Sequence, residues 1–288
     1  MRQKRLIYLD TAKGIGIIAV MLGHSCGIPV ILPIVTGFYM ALFFIIAGMT
    51  TKEEDFLNLS KLFNKKKKLI VDYFLFSMVL LLFSVVESLI NKSLTITKLS
   101  QMLIGIIYSR YSFHVENGIP VEKLMCIENS PLWFLTALFL SFLVAGGVYK
   151  CQNAMKWREK KYKKQIIIFI ILLIFAAILN TSPIILPWSI DCIPTFVVFI
   201  IAGKYIADKK RAELKITVPN LVILSCVAIL YLVLRVLNGH INISIREYGE
   251  LGVLSIPLYT FLGLFALICV WFFAIGWRKL SSQKSWLW

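Results

Sequence analysis

Eight apolar runs, each long enough or nearly long enough to cross a bilayer, recur along this chain and limit what it can become. They lie at about 14 to 28, 31 to 49, 69 to 90, 132 to 149, 165 to 180, 193 to 207, 218 to 237 and 251 to 275. A hydrocarbon core about 30 Å thick takes roughly 20 helical residues to cross, and it offers no water to unpaired backbone groups, so such runs form spanning helices. The expected fold is therefore all-α: a polytopic membrane bundle of about eight transmembrane helices, organised as one domain over residues 1–288. A hydrophobic content of 59% and a mean hydropathy of +0.81 exclude an ordinary soluble enzyme. No cleavable signal peptide is expected, because the first run meets the second directly and lacks a small-residue cleavage site.

The net charge of +16 would point to nucleic acid in a soluble protein. Here 25 of the 31 Lys/Arg residues fall in alternate connections, at 2–13, 52–68, 150–164, 204–215 and 278–284. The other six are Lys92, Lys98, Arg110, Lys123, Arg235 and Arg246. Such alternation is the positive-inside pattern, so the N-terminus is expected in the cytoplasm and the basic loops against an anionic bilayer, with no nucleic-acid partner. The longest connection, about 91 to 131, lies outside; its short apolar patch Met102 to Tyr108 reads as an interfacial or re-entrant helix. The six cysteines have no close paired spacing, which argues against a zinc site and leaves metal ligands unassigned. Cys26, Cys126 and Cys192 fall near the outer side, so one disulfide there stays open beside the simpler reading of thiols in an apolar core. Oligomeric state is not legible.

The polar residues inside the apolar runs carry the functional signal. Tyr8 to Met49 places Asp10, Lys13 and His24 in an otherwise apolar, glycine-punctuated helix. Lys13 and His24 are eleven residues apart, so they share one face about 16 Å apart along the axis. Asp10 falls on the same side, within a turn of Lys13 and about 20 Å from His24 in a straight helix. Taken singly, His24 reads as a buried, hydrogen-bonded histidine and Lys13 as a lysine snorkelling to the interface. Together they suggest a polar cavity, because ionisable groups in spans are expensive and mark substrate paths. Lys65 to Lys68 serves either as an anchor on anionic lipid or as a clamp for the phosphates of a cytoplasmic cofactor. Asp72 and Glu87 sit near opposite ends of the third run and read as interface caps or cavity residues; Glu87, on the outer side, is the stronger functional candidate. Trp133 and Phe134 form an aromatic belt or a face for a sugar, and His114, His240, Asp191 and Arg246 lie in outer loops where solvation alone can account for them. No glycine-rich phosphate loop precedes a helix, so nucleotide hydrolysis lacks machinery.

The stretch LDTAKGIGIIAVMLGHS, then GFYMALFFIIAGM, then a basic F-x-K-K-K-K-L-I segment resembles the membrane-bound acyltransferase-3 family, and more narrowly its fucose O-acetylase-like and polysaccharide O-acetylase branch. The resemblance implies a cation and a histidine separated by ten residues in the first helix, matched by Lys13 and His24. It implies a paired basic motif in the first cytoplasmic loop, matched by Lys65 and Lys68, and an aromatic L-W-F-L at the fourth helix, matched by Leu132 to Leu135. Two features depart from the pattern. Tyr39 and Ala41 stand where many members carry a histidine and a proline, and eight runs are present where about ten helices are common, which leaves a missing C-terminal helical pair open.

The resemblance implies transfer of an acetyl group from cytoplasmic acetyl-CoA to a sugar hydroxyl, in a multi-pass protein of the bacterial cytoplasmic membrane. On this reading Lys13, Lys65 and Lys68 hold the donor, whose pantetheine arm follows the first helix to the general base His24. Glu87, Trp133 and Arg246 face a cell-surface or lipid-linked carbohydrate acceptor. An acyl-serine route through Ser25 is disfavoured, because neighbouring residues in a helix point about 100° apart. The competing class is a transporter or flippase of a lipid-linked sugar, which would use the same intramembrane charges but with internal pseudo-symmetry that the sequence does not show. A non-catalytic membrane subunit, in which His24 is replaceable, is the third.

Overall fold

A computed structural model describes residues 7–25, 31–110, 114–116, 119–122, 132–155, 161–208 and 218–265. Among them the architecture is helical: α1 (Ile7–Ser25), α2 (Ile31–Thr36), α3 (Tyr39–Thr50), α4 (Glu53–Leu57), α5 (Leu59–Ile90), α6 (Ile96–Tyr108), α7 (Trp133–Ala154), α8 (Lys161–Asn180), α9 (Ile193–Asp208), α10 (Val218–Asn238) and α11 (255–265). The exception is a short antiparallel hairpin, β1 (His114–Glu116) with β2 (Ile119–Glu122), inside the long connection. Three described segments are long and apolar enough to cross a membrane: Leu59–Ile90, Trp133–Ala154 and Pro187–Ala207. The end of the eighth apolar run, most of the loop before Trp133, and Cys26, Cys126 and Cys269 lie outside the described residues.

Helix ends differ from the apolar runs for a local reason. Lysine is a good helix former, so α5 starts ten residues before its run and carries the four lysines within it. Asn58 sets that start, its side chain accepting from the Lys61 backbone N–H at 3.0 Å. Thr95 caps α6 in the same way through Lys98 N at 3.1 Å. The second apolar run divides at Gly37 and Phe38 into α2 and α3, four residues beyond Pro33.

The chain forms two compact units. The first comprises residues 1–50, 199–241 and 248–288. In it α1 buries Leu9, Ala12, Gly16 and Ala19, a stripe at helical spacing whose small members let α3 approach. A Cβ added to Gly16 would stand 3.1 Å from the Phe43 ring. The tightest crossing is between α3 and α9: a Cβ on Gly48 would lie 2.0 Å from the Ile200 carbonyl oxygen, and one on Gly203 2.0 Å from that of Ile45. Against α2, the α10 residue Tyr231 donates to the Ile34 carbonyl at 2.7 Å and Arg235 donates to Thr36 Oγ1 at 3.4 Å and to the Gly239 carbonyl.

The second unit comprises residues 51–198 and 242–247. Here α5 and α7 run antiparallel. Leu59 and Leu62 lie against Gly146, the Phe63 and Phe139 rings meet at 5.6 Å, and Tyr73 packs with Leu132 and Leu135. On the α7 side, α4 is fixed by Phe56 stacking on Tyr149 at 4.9 Å. The expected short apolar helix is present as α6, folded back along α5 so that buried Tyr73 donates to the Ile106 carbonyl at 2.6 Å. Its other face, with Leu103, Ile104 and Ile107, is exposed.

Candidate functional site

The helical repeat that buries Leu9, Ala12, Gly16 and Ala19 turns Lys13, Ile17, Met21 and His24 outward, and all four are exposed. Lys13 and His24 thus share a face as their spacing predicts. His24 closes α1 one residue before its end. Gly23 beside it packs near the ring of Tyr39, the residue that replaces the histidine of the resembled pattern. The geometry of the helix keeps Asp10 away from His24.

Around the lysine run the structure assembles a different group from the expected pair. Asp55 of α4 is buried, and its two oxygens are shared by lysines one turn apart on α5: Lys65 Nζ lies 2.6 Å from Oδ2 and Lys61 Nζ 3.1 Å from Oδ1. Burial alone would raise the Asp55 carboxyl pKa, but hydrogen bonds and charge from Lys65 and Lys61 outweigh it and hold the group below the usual carboxylate value. Lys66 donates to Thr51 Oγ1 at 3.2 Å and stands 3.8 Å above the Phe142 ring, a cation–π contact. Lys67 and Lys68 are exposed. Lys65 is therefore engaged with Asp55, which it shares with Lys61. Antiparallel pairing sets the run beside the first turns of α7, and the Lys66 side chain reaches back to Phe142. Side chains on a helix lean toward its N-terminus, and Lys61 and Lys65 lean that way to Asp55.

A third group lies where α6, α7, α8 and α9 end or begin. Arg110, 2% exposed, donates to Asp191 Oδ1 at 2.5 Å, to Ser189 Oγ at 3.1 Å and to the Ser244 carbonyl at 3.0 Å. Asp191, 1% exposed, also accepts from the Leu186 N–H at 3.0 Å and sits 3.5 Å from Arg246 Nη1. Arg246, 8% exposed, donates further to the carbonyls of Leu179, Ser182 and Ile184. Ser109, Trp188, Ser189 and Arg246 all have positive φ, between 54° and 64°, a conformation costly for residues with a Cβ. It is held by Ser109 Oγ against Thr136 Oγ1 at 2.8 Å and by Trp188 Nε1 donating to the Ile107 carbonyl at 2.7 Å.

This arrangement corrects the reading of the outer residues. Asp191 and Arg246 are interior groups of a loop-locking network, not solvated loop charges. Arg235 is likewise buried within α10, so three of the six basic residues assigned to outer loops hold the fold together. Trp133 is buried, its ring 6.2 Å from that of Phe196. Glu87 is exposed near the far end of α5. Because Tyr73 marks the level of the α7 start, Glu87 stands about 21 Å farther along the α5 axis, and the structure does not bring it to Trp133. Cys192 is a buried thiol, its Sγ 3.8 Å from the Ile243 carbonyl. Neither Asp55 nor Lys61 stands out in the sequence; Asn58, a favoured N-cap residue, is the sign there of the break that lets Asp55 meet α5.

Helices of this length and apolarity, with ionisable groups on selected faces, define an integral membrane protein. The chain belongs to the acyltransferase-3 family: the family model Acyl_transf_3, an acyltransferase domain, matches residues 6–288 and so runs through both units. It is an acyltransferase of the membrane. No curated protein and no solved structure matches the chain.

Proposed function

We propose that the chain is an O-acetyltransferase of the fucose O-acetylase-like and polysaccharide O-acetylase type, with a cytoplasmic N-terminus. On this reading it moves acetyl from acetyl-CoA to a hydroxyl of a cell-surface or lipid-linked sugar. The observation that carries the proposal is the exposed face of α1 bearing both Lys13 and His24. A cation and an imidazole on an otherwise apolar helix are costly against lipid and are accounted for by a polar substrate path.

His24 is the general base. It takes the proton of the acceptor hydroxyl as that oxygen attacks the thioester carbonyl carbon; the C–S bond then breaks, and the proton passes to the departing thiolate. Histidine suits this because its charge changes between about pH 5 and 8. Lys65, Lys68 and Lys13 meet the phosphates of the donor. Glu87, exposed at the end of α5, is the acceptor-side residue on this reading; Trp133 is buried against Phe196 and Arg246 on the carbonyls of Leu179, Ser182 and Ile184.

The test is transfer of radiolabelled acetyl from acetyl-CoA to surface glycans in membranes carrying the chain, against His24→Gln at matched abundance. Label with the parent and none with the variant is the expected result, and the labelled glycan identifies the acceptor. Equal labelling from both removes His24 from the chemistry.

A further inference from the structure

We propose that Asp55 is an internal anion that competes with the donor's phosphates for Lys65, and so sets how tightly the lysine cluster holds coenzyme A. The inference rests on the donor reading above. Its observation is an asymmetry of exposure: the Asp55 side chain is 4% exposed, while those of Lys65 and Lys61 are 47% and 45% exposed. The anion is thus enclosed and its two cations are half open. An ammonium has three donors; Lys65 spends one on Asp55 Oδ2, and its open side can take phosphate oxygens.

Mutual repulsion in the lysine run would be relieved by any exposed acid, so it does not account for burying this one. A buried carboxylate costs desolvation that only specific pairing offsets. The pairing here fixes where Lys65 ends: α4 is held to α7 by Phe56 on Tyr149, and Asp55 draws the Lys65 ammonium to that fixed point. Thr51, just before α4, takes Lys66 in the same way. Asp55 therefore acts through Lys65 as a positioning residue, and its charge weakens the hold on any anion that Lys65 binds. A phosphate on the open side of Lys65 would stand about 6 Å from the carboxylate, so removing that charge should tighten phosphate binding about three- to tenfold.

The experiment measures binding of radiolabelled coenzyme A, and of its 3′-dephospho form, to the purified full chain and to Lys65→Gln, Asp55→Asn and the double variant. Asp55→Asn is expected to lower the Kd for coenzyme A about three- to tenfold, and the gain should disappear in the double variant. Lys61→Gln, which leaves the whole Asp55 charge to Lys65, should weaken binding more than Lys67→Gln; this arm decides the matter if Asp55→Asn does not fold. Coenzyme A binding that depends on Lys65 but is unchanged or weakened by Asp55→Asn overturns this inference and leaves the donor reading standing. So does a Lys61→Gln effect no larger than that of Lys67→Gln. Binding indifferent to Lys65→Gln overturns both.

Discussion

Replacing Asp191 by alanine leaves two guanidinium groups in the protein interior with no anion between them. Arg110 loses its 2.5 Å contact and Arg246 its 3.5 Å neighbour, and the Leu186 N–H loses its acceptor. Breaking one buried pair costs about 3–5 kcal/mol, mostly from the charge left behind. Among the described residues Arg246 keeps three carbonyl acceptors, whereas Arg110 keeps only Ser189, Ser244 and the weak Cys192 contact, and its Nε has no partner there. Most of the loss should therefore come through Arg110. In a thermal melt of the detergent-purified protein, a loss of this size lowers the midpoint on the order of 10 °C. Arg110→Met combined with Asp191→Leu removes both charges and should recover part of that drop. A fall of less than about 2 °C for Asp191→Ala, or a double variant no better than the single ones, would refute the reading of a charge-compensated lock. The same melt separates two roles for Arg246: a structural donor predicts that Arg246→Ala lowers the midpoint, whereas an acceptor ligand predicts a higher acceptor KM at an unchanged midpoint.

Other outcomes follow from the helix contacts and the lysine cluster. Gly48→Ala puts a methyl 2.0 Å from the Ile200 carbonyl oxygen, so α3 and α9 must separate; lower folded yield and a lower melting midpoint are expected, while Gly147→Ala, with open space at its Cβ, should melt like the parent. Lys66→Gln loses the contact over Phe142 and should lower the midpoint more than Lys67→Gln, measured in the same melt. Asp55 has a depressed carboxyl pKa in the folded chain, so it contributes stability that is present above the unfolded value near 3.8 and is lost as pH falls through the folded value. Asp55→Asn should accordingly be less stable than the parent at pH 7 and indistinguishable from it in acid below that window, as read by melting midpoints across pH.

What the sequence made legible follows from which forces are local. Periodicity alone placed Lys13 and His24 on one face of α1, because a helix fixes that relation without tertiary help. Apolar runs located the helices but misjudged their ends: lysines continue a helix almost as readily as leucine does, and an acid such as Asp10 is favoured in a first turn, so α1 and α5 extend well beyond their runs. Arg110 and Asp191 are separated by 81 residues, so nothing local joins them. Loop charge is a poor guide to individual arginines, since a guanidinium in a loop can be drawn inside by carbonyls that helix ends leave free. Leu179 and Ser182 supply such carbonyls to Arg246 at the end of α8.

The two kinds of charge in this chain can be told apart by their compensation. Arg110, Asp191 and Arg246 are enclosed, and most of their hydrogen-bonding groups are taken by backbone or by one another, as a group whose task is to hold segments together requires. Lys13 and His24 are the opposite case, exposed on a helix whose neighbouring outward residues are isoleucine and methionine, with no hydrogen bond or ion pair to another described residue. Against lipid that state is costly. On the proposed reading the substrates make the contact: a phosphate-bearing thioester brings an anion to the lysine, and a sugar hydroxyl brings an exchangeable proton to the histidine. Asp55 lies between the two cases, enclosed itself but holding half-open cations. On the proposed reading that intermediate state leaves the lysines open to an exchangeable anion while the enclosed carboxylate limits how tightly it is held.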